Sequence, residues 1–141
     1  MTDILHRIVI ETSPIRLYAA LTDTTQLSQW WSRSTSTDET VSFFFGPDSD
    51  REVKMQILEQ HEGERVRWQC IEGPWVDMGP FEFDIAPDER GSVLLFRHRD
   101  WPEVADFYGH CNAKWGFFLG VSLKSFLETG TGTPHPNEPS I

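Results

Sequence analysis

Residues 100–130 read DWPEVADFYGHCNAKWGFFLGVSLKSFLETG, and the period of this stretch decides the fold. Asp100-Trp101-Pro102-Glu103 has capping-box spacing with proline in the first turn, and Gly130 is a stop signal, so the spacing predicts one helix running to about Glu128. At about 1.5 Å per residue such a helix is nearly 40 Å long, enough to cross a small domain. On a helical wheel Val104, Tyr108, Cys111, Trp115, Phe118, Leu119 and Phe126 share one broad arc. Beside it Gly109, Ala113, Gly116 and Gly120 form a stripe with almost no side chain. Each internal glycine costs about 1 kcal/mol against alanine, so either a backbone comes close to the stripe or space is left open there. Asn112 and Ser122 fall inside the apolar arc, where each needs a partner: a strand backbone, the helix's own carbonyls, water or a ligand.

An apolar arc this wide calls for a curved layer around the helix, and the preceding chain supplies one. Residues 4–11 (ILHRIVIE) read as a strand that hands over at Thr12-Ser13-Pro14 to a short helix over roughly 14–21. Asp23-Thr24-Thr25-Gln26 opens a second short helix that ends near Trp30-Trp31. From about residue 40 to 100 the period switches to two. Val53, Met55 and Ile57 alternate with polar neighbours, as do Val66, Trp68 and Cys70, then Phe81, Phe83 and Ile85, then Leu94, Phe96 and His98. Turns fall at Gly46-Pro47-Asp48, Glu62-Gly63, Gly73-Pro74 and Asp88-Glu89-Arg90-Gly91. The expectation is an α+β helix-grip fold. About six antiparallel strands curve around the C-terminal helix, with two short helices after strand one. Residues 1–129 form one domain, and 130–141, rich in glycine, threonine and proline, form a mobile tail.

Twenty-two acidic against twelve basic residues leave a formal charge of −10, which repels nucleic acid and anionic lipid surfaces at long range. Cys70 and Cys111 form no close pair and no signal peptide is read at the N-terminus, so free thiols in the cytoplasm are expected. The apolar stretch Trp115–Val121 is far short of the roughly 20 residues of a membrane span. Aromatic residues make up 13% of the chain, including six tryptophans and ten phenylalanines. Rings in that density either fill a core or line a cavity.

The segments Ser13-Pro14, Ala19-Ala20-Leu21-Thr22-Asp23, Leu27–Trp31 (LSQWW), Lys114-Trp115-Gly116, Leu123-Lys124 and Leu127-Glu128-Thr129-Gly130 carry a family resemblance in their order along the chain. In this the chain resembles the START-like (SRPBCC) helix-grip superfamily, in the branch named after the activator of heat-shock protein 90 ATPase (AHSA). The resemblance implies a cavity between sheet and helix that hosts apolar small molecules and that, in some members, catalyses cyclisation, dehydration or hydrolysis. It also raises a chaperone-associated interaction module. The second domain used by the true activator has no room in this chain, and no chaperone-contact residue is carried over.

The expected ligand is a small apolar or aromatic molecule. Its wall would be Met55, Trp68, Phe81, Phe83, Phe96, Tyr108, Cys111, Trp115 and Phe118, with His98 and Asn112 as polar anchors and Trp30, Trp75 and Met78 at the mouth. His98 continues an inward alternation and is the one candidate acid or base for a cyclase or dehydratase; the competing reading is a core histidine bonded to a carbonyl or to Asp100. Asp77 sits in the mouth loop. Neither the five histidines nor the cysteines have metal-ligand spacing, and no cofactor or nucleophile motif is present. Should the glycine stripe face outward, it would let two copies associate as a homodimer.

Overall fold

The computed structural model describes residues 1–141. Strand β1 (Thr2–Ile10) leads to α1 (Pro14–Thr22), whose first turn is capped by the Ser13 hydroxyl accepting from the Arg16 N–H. Asp23 caps α2 (Thr24–Trp30) in the same way through Gln26. Then follow β2 (Ser34–Ser36), β3 (Thr40–Phe45), β4 (Arg51–His61), β5 (Arg65–Glu72), β6 (Phe81–Asp88) and β7 (Gly91–Trp101). They form one antiparallel sheet in the order β1-β7-β6-β5-β4-β3-β2. The sheet has seven strands where about six were expected. The extra one, β2, has three polar residues and therefore no alternation to read. Register shifts at Thr2/Ile4, Lys54/Met55 and Ile57/Glu59 supply the bends that curve the sheet.

Alternation sorts the two faces as expected. Met55, Trp68, Cys70, Phe81, Phe83, Leu94, Phe96 and His98 are buried inside. On the outside Arg67 pairs with Glu82 (3.4 Å) and Asp84 (2.8 Å), Arg99 with Glu82 (2.7 Å) and Arg97 with Asp3 (3.3 Å). Pairs of this kind are worth about 0–1 kcal/mol each, so the inner face and not this ladder holds the sheet together.

The C-terminal rod consists of α3 (Asp106–Phe117), a π-helical stretch (Phe118–Leu123) and α4 (Lys124–Thr129), which follow one another without leaving helical backbone. It starts later than the capping-box spacing predicts. Pairing of Thr2 with Trp101 extends β7 to Trp101 instead, and Asp100 turns with φ 60° while its N–H donates to Asp3 Oδ1 (3.0 Å). Ala105 stands at the helix N-cap without a side-chain bond, and Val104, placed on the apolar arc, is exposed. The π stretch, not foreseen, disturbs the wheel's phase. Leu119, Ser122 and Leu123 are buried, whereas α4 buries nothing and Phe126 is only half-buried.

The rod runs along β1. The Tyr108 hydroxyl donates to Asp3 O (2.9 Å), His6 Nε2 to Asn112 O (3.2 Å) and Lys124 Nζ to Val9 O (2.6 Å), while Glu128 accepts from the Glu11 N–H (2.8 Å). A Cβ on Gly116 or Gly120 would lie 3.5 Å from His6 Cε1 or Ile8 Cδ1, ordinary contact distance, and one on Gly109 would meet nothing. Two glycines of the stripe therefore seat β1 side chains and the third faces solvent.

Trp115 projects from the rod onto the sheet, its ring centroid 4.7 Å from Trp31 and 4.5 Å from Phe96. Trp31 also stacks parallel to Trp68 at 6.1 Å. Residues 130–141, expected to be a mobile tail, are packed by specific bonds. Ser122 Oγ donates to Trp30 O (2.6 Å) and accepts from the Thr133 N–H (2.8 Å), and the His135 N–H donates to Trp31 O (2.7 Å).

His98 is fully buried, stacked on Phe81 at 3.6 Å, with Nδ1 accepting from Trp101 Nε1 (3.1 Å) and Nε2 unpartnered. Burial lowers its pKa from 6.5 to about 3, against the smaller opposing pulls of the Gly79 backbone and the Asp3 charge. An unfolded chain takes up this proton first as pH falls, so the buried neutral ring makes stability decline between pH 6.5 and 3. Replacing it should flatten that decline: from pH 7 to 4.5 wild type should lose about 2 kcal/mol more than His98→Phe, read from urea midpoints. Packing of the rod is checked separately by Leu119→Ala, expected to cost about 2–5 kcal/mol, against Val121→Ala on the exposed side, expected within about 0.5 kcal/mol.

Candidate functional site

A cavity of ≈550 Å³ opens between the rod and the β3–β4 end of the sheet. Its size is in the range of small-molecule sites, about 300–1,000 Å³. Phe107, His110, Cys111, Lys114, Trp115 and Phe118 line it from the rod, in the helical spacing that puts them on one side. The sheet contributes Phe45 and Gly46 at the end of β3 and Arg51, Glu52 and Val53 at the start of β4, while Gly73, Pro74 and Trp75 come from the β5–β6 loop. Trp31 forms part of the floor, and His135 and Glu138 close one wall from the C-terminal segment.

Of the residues expected in the site, Trp75, Cys111, Trp115 and Phe118 line this cavity. Others belong elsewhere. Trp30, Met55, Phe81, Phe83, Phe96 and His98 are buried in the core, where the rings pack on Trp115, Trp31 and one another, and none of them lines this cavity. Trp30 Nε1 donates to Ala20 O (2.8 Å), which ties it to α1 and not to a mouth. Trp68 borders only a second, smaller cavity of ≈200 Å³ beside Leu21, Leu27, Val41 and Ile57. Tyr108 turns its hydroxyl to Asp3 of β1, Asn112 meets His6 through its backbone carbonyl and is not part of the cavity lining, and Met78 is half-buried with its carbonyl accepting from Gln69 Nε2 (2.9 Å). Asp77 is exposed in its loop. A sealed His98 has no route to a substrate in this cavity, so the acid–base role considered for it is corrected to a core role.

The lining that the sequence did not point to includes a polar set, Arg51, Glu52, His110, Lys114, His135 and Glu138. Glu138 is 5% exposed at its side chain and accepts from Lys114 Nζ (3.1 Å) and from His135 Nδ1 (2.9 Å). Burial pushes its carboxyl up, but the bonds from His135 and Lys114 more than offset this and hold it below the usual carboxylate range. His135 Nε2 faces Gly46 O (3.1 Å), so both ring nitrogens meet acceptors. His110 Nδ1 lies 3.1 Å from Ile141 O, and Glu52 accepts from the Ser42 hydroxyl (2.6 Å). Arg51 makes no ion pair and is exposed. The Cys111 thiol is pushed up to about 11 by burial, partly opposed by the Trp75 indole N–H and the Lys114 charge, so it stays protonated near neutrality. The arrangement is an aromatic floor under a charged rim. That geometry can hold an apolar body and orient one polar group. It offers no paired nucleophile and base.

No family model matches the sequence, and no curated protein is matched by it. Comparison of folds is more informative. The structure is similar to the solution structure of the Aha1 dimer from Colwellia psychrerythraea, with a TM-score of 0.83 and 32% identity over 94% of this chain and 100% of that one. It is also similar to a protein from Staphylococcus saprophyticus (TM-score 0.76, 18% identity, 93% and 95% covered). An AHSA1-like protein from Aeromonas hydrophila shares the fold at 12% identity (TM-score 0.72, 92% and 94% covered). Identity at this level along the whole of the Colwellia protein, in a sheet gripping a terminal rod, shows that the chain belongs to the AHSA-like branch of the START-like helix-grip superfamily.

Proposed function

We propose that this chain binds a small apolar or aromatic molecule noncovalently in the cavity beside the rod. The observation that carries the reading is a ≈550 Å³ space floored by Trp31, Trp115 and Phe118, in a chain that buries Phe81, Phe83 and Phe96 completely. Rings left facing a cavity offer stacking surfaces to a flat ligand, while the surrounding core, already rigid, adds little ordering cost. Binding in place of turnover is supported by what faces the space: a protonated thiol, a carboxylate already paired and no accessible free histidine–nucleophile couple.

Naphthalene-2-methanol is a suitable neutral probe. At about a hundred times its Kd it should raise stability by about 2.7 kcal/mol and change tryptophan fluorescence, since two indoles line the floor. Cys111→Phe, which pushes a ring into the space, should abolish the effect. Absence of any thermal or fluorescence response across neutral aromatic probes would sink the reading.

The solution structure from Colwellia is that of a dimer, and we infer the same stoichiometry for this chain. Sedimentation velocity at roughly 0.1 mM should then give twice the 16.3 kDa of the chain; a single monomeric boundary at that concentration would argue the other way.

A further inference from the structure

The charged wall of the cavity is built around one carboxylate that the chain itself supplies. Glu138 lies in a segment that has no regular structure, yet its side chain is almost fully buried, more deeply than either of its partners Lys114 and His135. Both carboxylate oxygens are used: Oε2 by Lys114 (3.1 Å) and His135 (2.9 Å), Oε1 by His135 (3.0 Å). Bonds of this charge-assisted kind are the strong ones, and they hold the end of the segment against the cavity. The same cavity keeps a second cation, Arg51, without an ion pair, and a histidine, His110, whose contact is the C-terminal residue Ile141.

Moving the C-terminal segment aside changes the charge of the site. Glu138 and His135 leave together, and Lys114, Arg51 and His110 then face the space against the single acid Glu52, which is already bonded to Ser42. On a chain of net charge −10, so local a cluster of basic groups attracts an anion only at short range. Below it the floor is aromatic. We propose that Glu138 is a built-in stand-in for the carboxylate of the ligand, so that the cavity takes an aromatic or alicyclic carboxylic acid whose carboxylate replaces Glu138 on Lys114 and whose arrival releases residues 133–138. This rests on the cavity reading above and specifies its ligand class. A carboxylate is the anion chosen because one carboxylate already satisfies the site in size and geometry.

The test uses the full chain and two full-length variants, Glu138→Gln and Lys114→Met, titrated with naphthalene-2-carboxylate and with neutral naphthalene-2-methanol. Glu138→Gln should tighten the carboxylate roughly tenfold by removing its competitor and leave the alcohol within about twofold. Lys114→Met should lose the gain for the carboxylate and keep the alcohol. In wild type, saturating carboxylate should speed amide hydrogen exchange at residues 133–138, and the alcohol should not. If all three proteins bind the alcohol but Glu138→Gln leaves carboxylate affinity unchanged, or exchange at 133–138 does not respond, this inference is overturned and the cavity reading stands. If neither compound binds any of the three, both are overturned.

Discussion

The packing of one indole determines the rest of this molecule. Trp115 leaves the terminal rod at the point where Trp31, Phe96 and, further out, Phe81 and Phe83 converge, and a ring of that size fixes both the distance and the tilt between rod and sheet. The aromatic contacts it makes have the offset and tilted geometries that such pairs prefer. On its inner side Phe81, Phe83 and Phe96 are fully buried. On the side toward β4 the rings stop, and the space that becomes the cavity begins. Core and cavity are thus two faces of one placement, and the boundary between them is drawn by Trp31 and Trp115, which belong to both.

The architecture was largely legible because it rests on periodicity. Two-residue alternation is a strong signal when one sheet face is wet and the other is buried, and four of the strands, β4 to β7, show it in the burial of their central residues. The two caps at Ser13 and Asp23 were legible for a different reason: a serine or aspartate three residues before a free N–H is a local interaction that no tertiary contact had to approve. Where a local signal met a long-range one, it lost. Asp100 to Glu103 has the spacing of a helix start, but backbone pairing with the first residues of the chain was available and claimed Trp101 for the strand. Nothing near residue 100 in the sequence announces that competitor.

The site was legible only where it shares residues with the core. Trp75, Cys111, Trp115 and Phe118 were recognisable as large or buried groups, but an inward-facing ring in a strand is read equally well as wall or as filling, and for Phe81, Phe83, Phe96 and His98 filling is what the packing made of it. The polar rim gave no such signal. Lys114 and His110 look like solvated helix residues, Arg51 like a strand terminus and Glu138 like part of a low-complexity tail. What joins them is the return of the C-terminal segment over Ser122, whose hydroxyl links Trp30 O to the Thr133 N–H. The serine inside the apolar arc was the one hint. Its need for partners outside the helix was visible, but their identity was not.

The rod's position along β1 has a consequence for how copies of this chain can meet. An outermost strand normally offers a free row of backbone groups to a neighbour, yet here Asp3 O and Val9 O are occupied by Tyr108 and Lys124 and the Glu11 N–H by Glu128. The opposite border of the sheet is only three residues long. Association by continuing the sheet from one molecule into the next is therefore obstructed at both ends of one border and offered only three residues at the other, which favours side-chain surfaces as the means of self-recognition.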